Sequence, residues 1–173
     1  MFASIINSSD DAIVSRNLDS SITSWNQGAE NTFGYSADEI NGKDITILIP
    51  EDLQNEEKEI LKNIIAGEVI DHYATKRIKK NGEIIAVSLN VSPIKDPAGK
   101  IIGASKISRD VTERIVAEQA LRVSEERFDA FMNASPAVAW ILDEQGRHIY
   151  MNNRWEKLFN LSKEQWLGKT VFD

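Results

Sequence analysis

Residues 70–109 read IDHYATKRIKKNGEIIAVSLNVSPIKDPAGKIIGASKISR. Three strand-like runs, 70–80, 83–94 and 100–109, are separated by Asn81-Gly82 and by Asp96-Pro97-Ala98-Gly99. Asn-Gly between two such runs marks a tight hairpin, because both residues accept the positive φ angles that the turn needs. In the middle run Ile85, Val87, Leu89 and Val91 alternate with Ala86, Ser88, Asn90 and Ser92. That period of two gives the sheet one apolar and one polar face.

Upstream, residues 51–66 carry Leu53, Ile60, Leu61, Ile64 and Ile65 around Glu56-Glu57, a helical stripe that starts after Pro50 and ends at Gly67. Ser36 and Glu39 stand at capping-box spacing, with Gly42 as the stop, and Asn26 can cap a short helix that runs past Glu30 and Phe33 to Gly34. Before these, residues 12–16 and 21–25 flank the turn Asn17-Leu18-Asp19-Ser20 and read as another hairpin. Two strands, several helices and then three strands predict an α+β fold, a five-stranded antiparallel sheet with helices on one face.

The unit is written twice. Sliding the chain by 126 residues superimposes Phe2, Asn7, Ser9, Asn26, Glu30, Phe33, Ser36, Gly42 and Lys43 on Phe128, Asn133, Ser135, Asn152, Glu156, Phe159, Ser162, Gly168 and Lys169. Nine identities in 47 positions exceed the two or three expected from roughly 5% chance matching. The expected domains are a complete module at 1–114, a helical linker at 115–127 and the front half of a second module at 128–173, in a fragment of a longer protein. Across 111–131, Ala117, Leu121, Ser124, Phe128 and Phe131 fall at alternating four- and three-residue steps, with Glu118, Arg122, Glu125, Glu126 and Arg127 around them. Two readings stand, a heptad seam that pairs two chains and a helix packed on its own domain.

At 173 residues with 42% apolar content, the chain can fill one core of ordinary size and a smaller one. A net charge of −7 and a pI near 5.0 argue against a nucleic-acid partner. The basic run Lys76, Arg77, Lys79 and Lys80 reads as a solvated edge. No apolar stretch reaches the roughly 18–20 residues of a membrane span, so no membrane insertion is expected. With zero cysteines the chain can form neither disulfides nor thiolate metal sites, a composition compatible with a cytoplasmic location. His72 and His148 are isolated, no serine stands beside a base, and no phosphate loop or carboxylate cluster with ligand spacing occurs. The expectation is a module that is not an enzyme, with no catalytic and no metal residues.

Several of these residues carry a resemblance. Ile22-Thr23-Ser24-Trp25-Asn26, Phe33-Gly34-Tyr35-Ser36, Glu39-Ile40, Gly42-Lys43, Lys80-Asn81-Gly82, Val91-Ser92-Pro93-Ile94 and Asp110-Val111-Thr112-Glu113-Arg114 occur in the order and spacing of the PAS (S-box) domain family. The first module resembles a PAS domain over about two-thirds of the chain, and residues from Phe128 onward, with Asp143-Glu144-Gln145-Gly146 as a hairpin turn, resemble a partial second PAS domain. The resemblance implies a sensor, most often within a prokaryotic multi-PAS histidine kinase of a two-component phosphorelay, with the kinase domain downstream. It implies a homodimer paired through the linker helices, and a signal-relay role for Asp110 and Thr112, for which simple helix capping is the alternative. Family members that hold haem use a histidine on the long helix, and light-sensing flavin members use a cysteine. Neither residue is present here, which leaves the cofactor unknown, with non-covalent flavin or a small metabolite open.

A ligand pocket would be lined by the inward face of the sheet and the helix above it: Ile13, Leu48, Ile60, Ile64, Tyr73, Val87, Leu89 and Ala104. The alternative is that these residues pack a dry core. Lys106 lies two positions after Ala104 and shares its face. A buried ammonium needs a carboxylate or an anionic ligand. Either Lys106 recognises an anion, or it pairs with an Asp or Glu from a helix, or a twist of the strand takes it to solvent. Against the ligand-binding sensor stands a ligand-free dimerisation scaffold.

Overall fold

The computed structural model describes residues 6–170 and residue 172. Phe2 of the repeat, with the first five residues of the expected 1–114 module, lies outside the described residues. The chain divides into two compact units, residues 1–115 and 116–173.

In the first unit β1 (Ala12–Asn17), β2 (Ile22–Trp25), β3 (Ile70–Ile78), β4 (Ile84–Lys95) and β5 (Ile101–Asp110) form one sheet in the order β2-β1-β5-β4-β3. All four neighbouring pairs are antiparallel. Helices α1 (Gln27–Phe33), α2 (Ala37–Ile40) and α3 (Gln54–Ile65) lie between β2 and β3 in the chain. Their Ala29, Phe33, Ile40, Ile60 and Ile64 join Ala12, Val14, Ile85, Val87, Leu89, Val91 and Ala104 of the sheet in one core. Each large aliphatic side chain removed from water there contributes about 1.5–3 kcal/mol.

Local chemistry sets the boundaries. Ser36 accepts from the Glu39 N–H at 3.3 Å while Glu39 accepts from the Ser36 N–H at 3.0 Å, a reciprocal box that starts α2. The long helix begins later than its sequence pattern, because residues 51–53 form a 3-10 turn after Pro50. A further 3-10 turn at Ile45–Leu48 is started by Asp44, whose carboxylate accepts from the Thr46 N–H at 2.8 Å. Gly103 allows β5 to lie close to β1, since a Cβ there would meet the Arg16 carbonyl oxygen at 2.3 Å.

Two assignments of facing are corrected. On β1 the buried residues are Ala12, Val14 and Arg16, so Ile13 points to the other face, where it stands opposite Ile107 of β5. Ala12 and Val14 share that inward phase with Arg16, whose buried guanidinium is paired with Glu57. Arg77 is buried and paired with Glu56, not part of a solvated edge. Tyr73 shares the covered face with Thr75 and Arg77 but lies on edge strand β3, beside a register shift between Ile70 and Tyr73, and stays 39% exposed.

Helix α4 (Thr112–Ala134) continues past residue 127, and none of its described residues is buried. The second unit adds a two-stranded sheet of β6 (Trp140–Leu142) and β7 (His148–Met151), then α5 (Asn153–Phe159) and α6 (Lys163–Trp166). The 126-residue repeat is visible bond by bond. Asn26 accepts from the Ile13 and Ala29 N–H groups and donates to the Ile6 and Asp11 carbonyls. Asn152 accepts from Ala139 and Trp155 and donates to Met132 and Ala137, each partner shifted by the same 126 residues. Glu30 caps the Ala37 N–H, as Glu156 caps that of Lys163. Asn26 and Asn152 thus use all of their amide's hydrogen-bonding power to close a hairpin, a helix start and the preceding segment together.

Candidate functional site

The covered face of the first unit is not wholly apolar. Arg16 on β1, Lys106 on β5, Arg77 on β3 and Glu57 on α3 are each at most 4% exposed. Antiparallel pairing sets Val14 opposite Lys106 and Arg16 opposite Ala104, so Arg16 and Lys106 point the same way from adjacent strands. Glu57 enters from above because α3 buries Glu57, Ile60 and Ile64, three residues of one helical face.

The Lys106 ammonium donates to both oxygens of Glu57, at 2.7 and 2.6 Å. Arg16 Nη2 lies 2.8 Å from Glu57 Oε1. That contact is an ion pair without the alignment of a hydrogen bond, and neither Nε nor Nη2 of Arg16 has a hydrogen-bond acceptor among the described residues. Arg77 pairs with Glu56 at 3.2 Å, and Glu56 also accepts from the Thr75 hydroxyl. Burial pushes the Lys106 ammonium down to about 8; Glu57 pulls it up, and the charges of Arg16 and Arg77 push it down again. Burial, with Glu56 nearby, raises the Tyr73 phenol.

Beside this cluster lies a small cavity of about 10 Å³ lined by Val14, Phe33, Ile45, Leu48, Arg77, Leu89, Lys106 and Ser108. That is room for one water-sized body and not for an isoalloxazine ring. Of the residues predicted to line a pocket, Leu48, Leu89 and Lys106 meet at this cavity, while Ile60, Ile64, Val87 and Ala104 are core residues. The sequence reading missed Arg16, Glu57, Arg77 and Ser108. Arg16 had a signal, its phase with Val14, and so did Glu57, its place in the helical stripe.

At the far end of β5 the strand is tied to the following helix. Asp110 accepts from the Thr112 N–H at 2.9 Å, which is capping. Thr112 does more: its hydroxyl accepts from the Ala86 N–H of β4 at 2.9 Å, while the Val111 N–H donates to the Ala86 carbonyl at 2.9 Å.

On the opposite face of the sheet a recess of about 90 Å³ is lined by Asp11, His72, Ser88, Asn90, Ile107 and Arg109. His72 has a positive φ of 51° and gives its N–H to Asn90 at 2.9 Å, and Arg109 grips Asp11 with two hydrogen bonds. In the second unit Trp140, His148, Trp155, Phe159, Leu161 and Trp166 line an open apolar hollow of about 230 Å³. Among the described residues no group of three or more His, Asp or Glu is placed to hold a metal ion, and no helix is long and apolar enough to cross a membrane.

Residues 10–113 match the family model described as a PAS domain, and residues 126–173 match the model described as the PAS fold. The nitrogen fixation regulatory protein of Klebsiella oxytoca is 28% identical over 81 residues, 47% of this chain and 16% of that protein. Phytochrome B1 of Solanum lycopersicum is 25% identical over 162 residues, 87% of this chain and 14% of that protein. The chain therefore spans about one-seventh of the length of the curated relatives it matches. Among solved structures, the PAS domain of a Colwellia psychrerythraea protein superimposes with a TM-score of 0.60 at 26% identity, covering 65% of this chain and 95% of that one. A domain of a sensory box sensor histidine kinase/response regulator from Geobacter sulfurreducens shares the fold, with a TM-score of 0.54 at 20% identity over 63% of this chain and 88% of that one.

Proposed function

We propose, from the fact that this chain belongs to the PAS domain family and begins with a PAS sensory and signalling domain, that it relays a change in its sheet through α4 to an output domain of the histidine kinase type. The observation that carries this reading is the joint at Ala86. Both backbone groups of that β4 residue are bonded at the start of α4, to its first residue Thr112 and to Val111 just before it, so a shift of β4 against β5 pulls on the helix start. A relay also needs two arrangements of the joint whose balance the input changes. The domain acts in this reading as a switch and not as a catalyst.

The seam of α4 supports pairing with a second copy. Leu121 and Phe131 are exposed along with Ala117 and Ser124, and Phe128, which meets the Tyr150 ring edge-on at 4.9 Å, is still 42% exposed, so among the described residues most of the seam is left uncovered. Replacing Asp110 and Thr112 together with Ala should leave the sheet folded and uncouple output. The measurement is ligand- or stimulus-dependent autophosphorylation in a chain that carries the output domain. Unchanged regulation would reject the relay.

The small interior cavity favours a second reading, a dimerisation scaffold whose sheet and helices hold partners together with no organic ligand inside. Native mass spectrometry of the purified protein separates the two readings. A stoichiometric extra mass lost on denaturation supports the sensor, and a bare dimer supports the scaffold.

A further inference from the structure

The buried cluster of the first unit is unbalanced. It holds three cations, Arg16, Arg77 and Lys106, against two carboxylates, Glu56 and Glu57. It is short of acceptors as well as of charge. Both Glu57 oxygens are already engaged, the third proton of the Lys106 ammonium has no acceptor among the bonds it makes, and two Arg16 nitrogens have none. An uncompensated positive charge in a low-dielectric interior is costly, and such a site relieves it either by losing a proton or by gaining an anion.

We propose that the cavity bounded by Lys106, Arg77 and Ser108 is a binding site for a small monovalent anion of the halide class. The lining supplies what that ion requires. Lys106 and Arg77 bring charge and Ser108 brings a hydroxyl, while Val14, Phe33, Ile45, Leu48 and Leu89 close the rest with apolar surface. The room suits a water molecule as it stands, and a halide after slight movement of the two long cationic side chains. It excludes carboxylate metabolites, nucleotides and flavins on size alone. Organic ligands at this place would have to displace Leu48 or Leu89, which are packed in the core.

The site links anion binding to protonation. The groups that face Lys106 are Arg16 from β1, Arg77 from β3, Glu56 and Glu57 from α3, and Ser108 from its own strand; β4 presents apolar Leu89 and Val91. With Lys106 neutral, two cations face two carboxylates and the anion has no excess charge to meet. The anion therefore binds the protonated form, its apparent affinity falls as Lys106 loses its proton, and its presence raises the pH at which that loss occurs. This gives the sensor reading a chemical class of input, and the binding site stands or falls independently of the relay.

The experiment is thermal unfolding of the whole chain near pH 7 at constant ionic strength, as sodium gluconate is exchanged for sodium chloride and then for sodium bromide. Constant ionic strength removes general screening, and gluconate is too large to enter. The expected result is a rise that grows with the logarithm of chloride concentration above Kd and reaches about 5 °C at about ten times Kd. The rise should be absent in Lys106→Met, and at about pH 9.5 the apparent affinity should fall more than tenfold. Ser108→Val fills the cavity while leaving every charge in place, so it decides the question should Lys106→Met fail to fold. A midpoint that is the same in gluconate and chloride, or a chloride response that survives Ser108→Val, overturns the site. The Asp110→Ala, Thr112→Ala variant keeps cluster and cavity and must respond to chloride as the unmodified chain does. A site without a relay and a relay without a site are then distinct results.

Discussion

Phe33 and Phe159 occupy equivalent places in the two copies of the repeat, and one is 1% exposed while the other is 49% exposed. The hydrogen bonds around them are nearly the same. Gly42 donates to the Ile22 carbonyl at 2.8 Å, and Gly168 donates to that of His148 at 2.8 Å. What differs is the cover. In the first unit, α3, β3, β4 and β5 close over the hairpin and short helices, whereas the described residues of the second unit contain only the hairpin, the two short helices and α4 from residue 116 onward. The backbone framework of this fold is thus encoded locally, by asparagine, glutamate and glycine at fixed spacing. Its core has to be completed by chain far away in sequence.

The repeat also shows where the first unit departs from an ordinary core. The position of Arg16 is Leu142 in the second copy, so a buried cation stands where the duplicate has an aliphatic side chain. Conversely, Ile22, Ala29 and Ile40 correspond to His148, Trp155 and Trp166, whose rings meet edge to face or tilted at 5.9–6.2 Å. The first unit places charge under its sheet, and the second places aromatic surface there.

The sharpest way to break this contrast is to truncate the paired phenylalanines. Phe33→Ala should cost about 3–5 kcal/mol, the loss expected for a fully buried ring, and Phe159→Ala about 1 kcal/mol or less. Urea unfolding of each variant measures both, and equal costs would mean that the second unit packs its ring as tightly as the first. Next in size, Asn26→Ala strips four hydrogen bonds from a buried junction and should cost about 2–4 kcal/mol. Asn152→Ala should lower only the second unit's transition, which hydrogen exchange resolves by region. If Asn152→Ala also opened the first unit, the two units would not be independent.

A pH dependence comes next. Lys106 is held at about 8 in the folded state against an ordinary 10.5. Between those values the unfolded chain keeps a proton that the folded chain has released, so stability rises with pH across that window. Below it both states are protonated, and the folded state bears the cost of the extra charge. Urea midpoints at about pH 7.5 and about pH 10, without chloride, should show the rise in the unmodified protein and not in Lys106→Met. A rise of equal size in the variant would place its origin in other groups.

Much of this was readable from the chain. The Asn81-Gly82 turn, the alternation from Ile85 to Val91, the Ser36–Glu39 box and the stripe of the long helix each act over a few residues, so local pattern suffices for them. The same locality explains the misreadings. Alternation on β1 shows that Ala12, Val14 and Arg16 share a face but not which face is buried, and the larger Ile13 pointed the other way. An arginine beside lysines at 76–80 reads as surface until a carboxylate from a distant helix is known to reach it.

By itself, the sequence determined the elements, their order, the duplication and that Lys106 shares a strand face with Ala104, because each follows from spacing, turn chemistry or period. Only the tertiary structure decided that the face of Lys106 would be buried, that Glu57 would stand between Lys106 and Arg16, that Asn26 would bind four backbone groups at once, and that the interior cavity would be about the size of a water molecule. Those outcomes depend on which residues, up to about 50 positions apart for Lys106 and Glu57, meet across the sheet. Long-range packing sets such meetings, and no local pattern carries them.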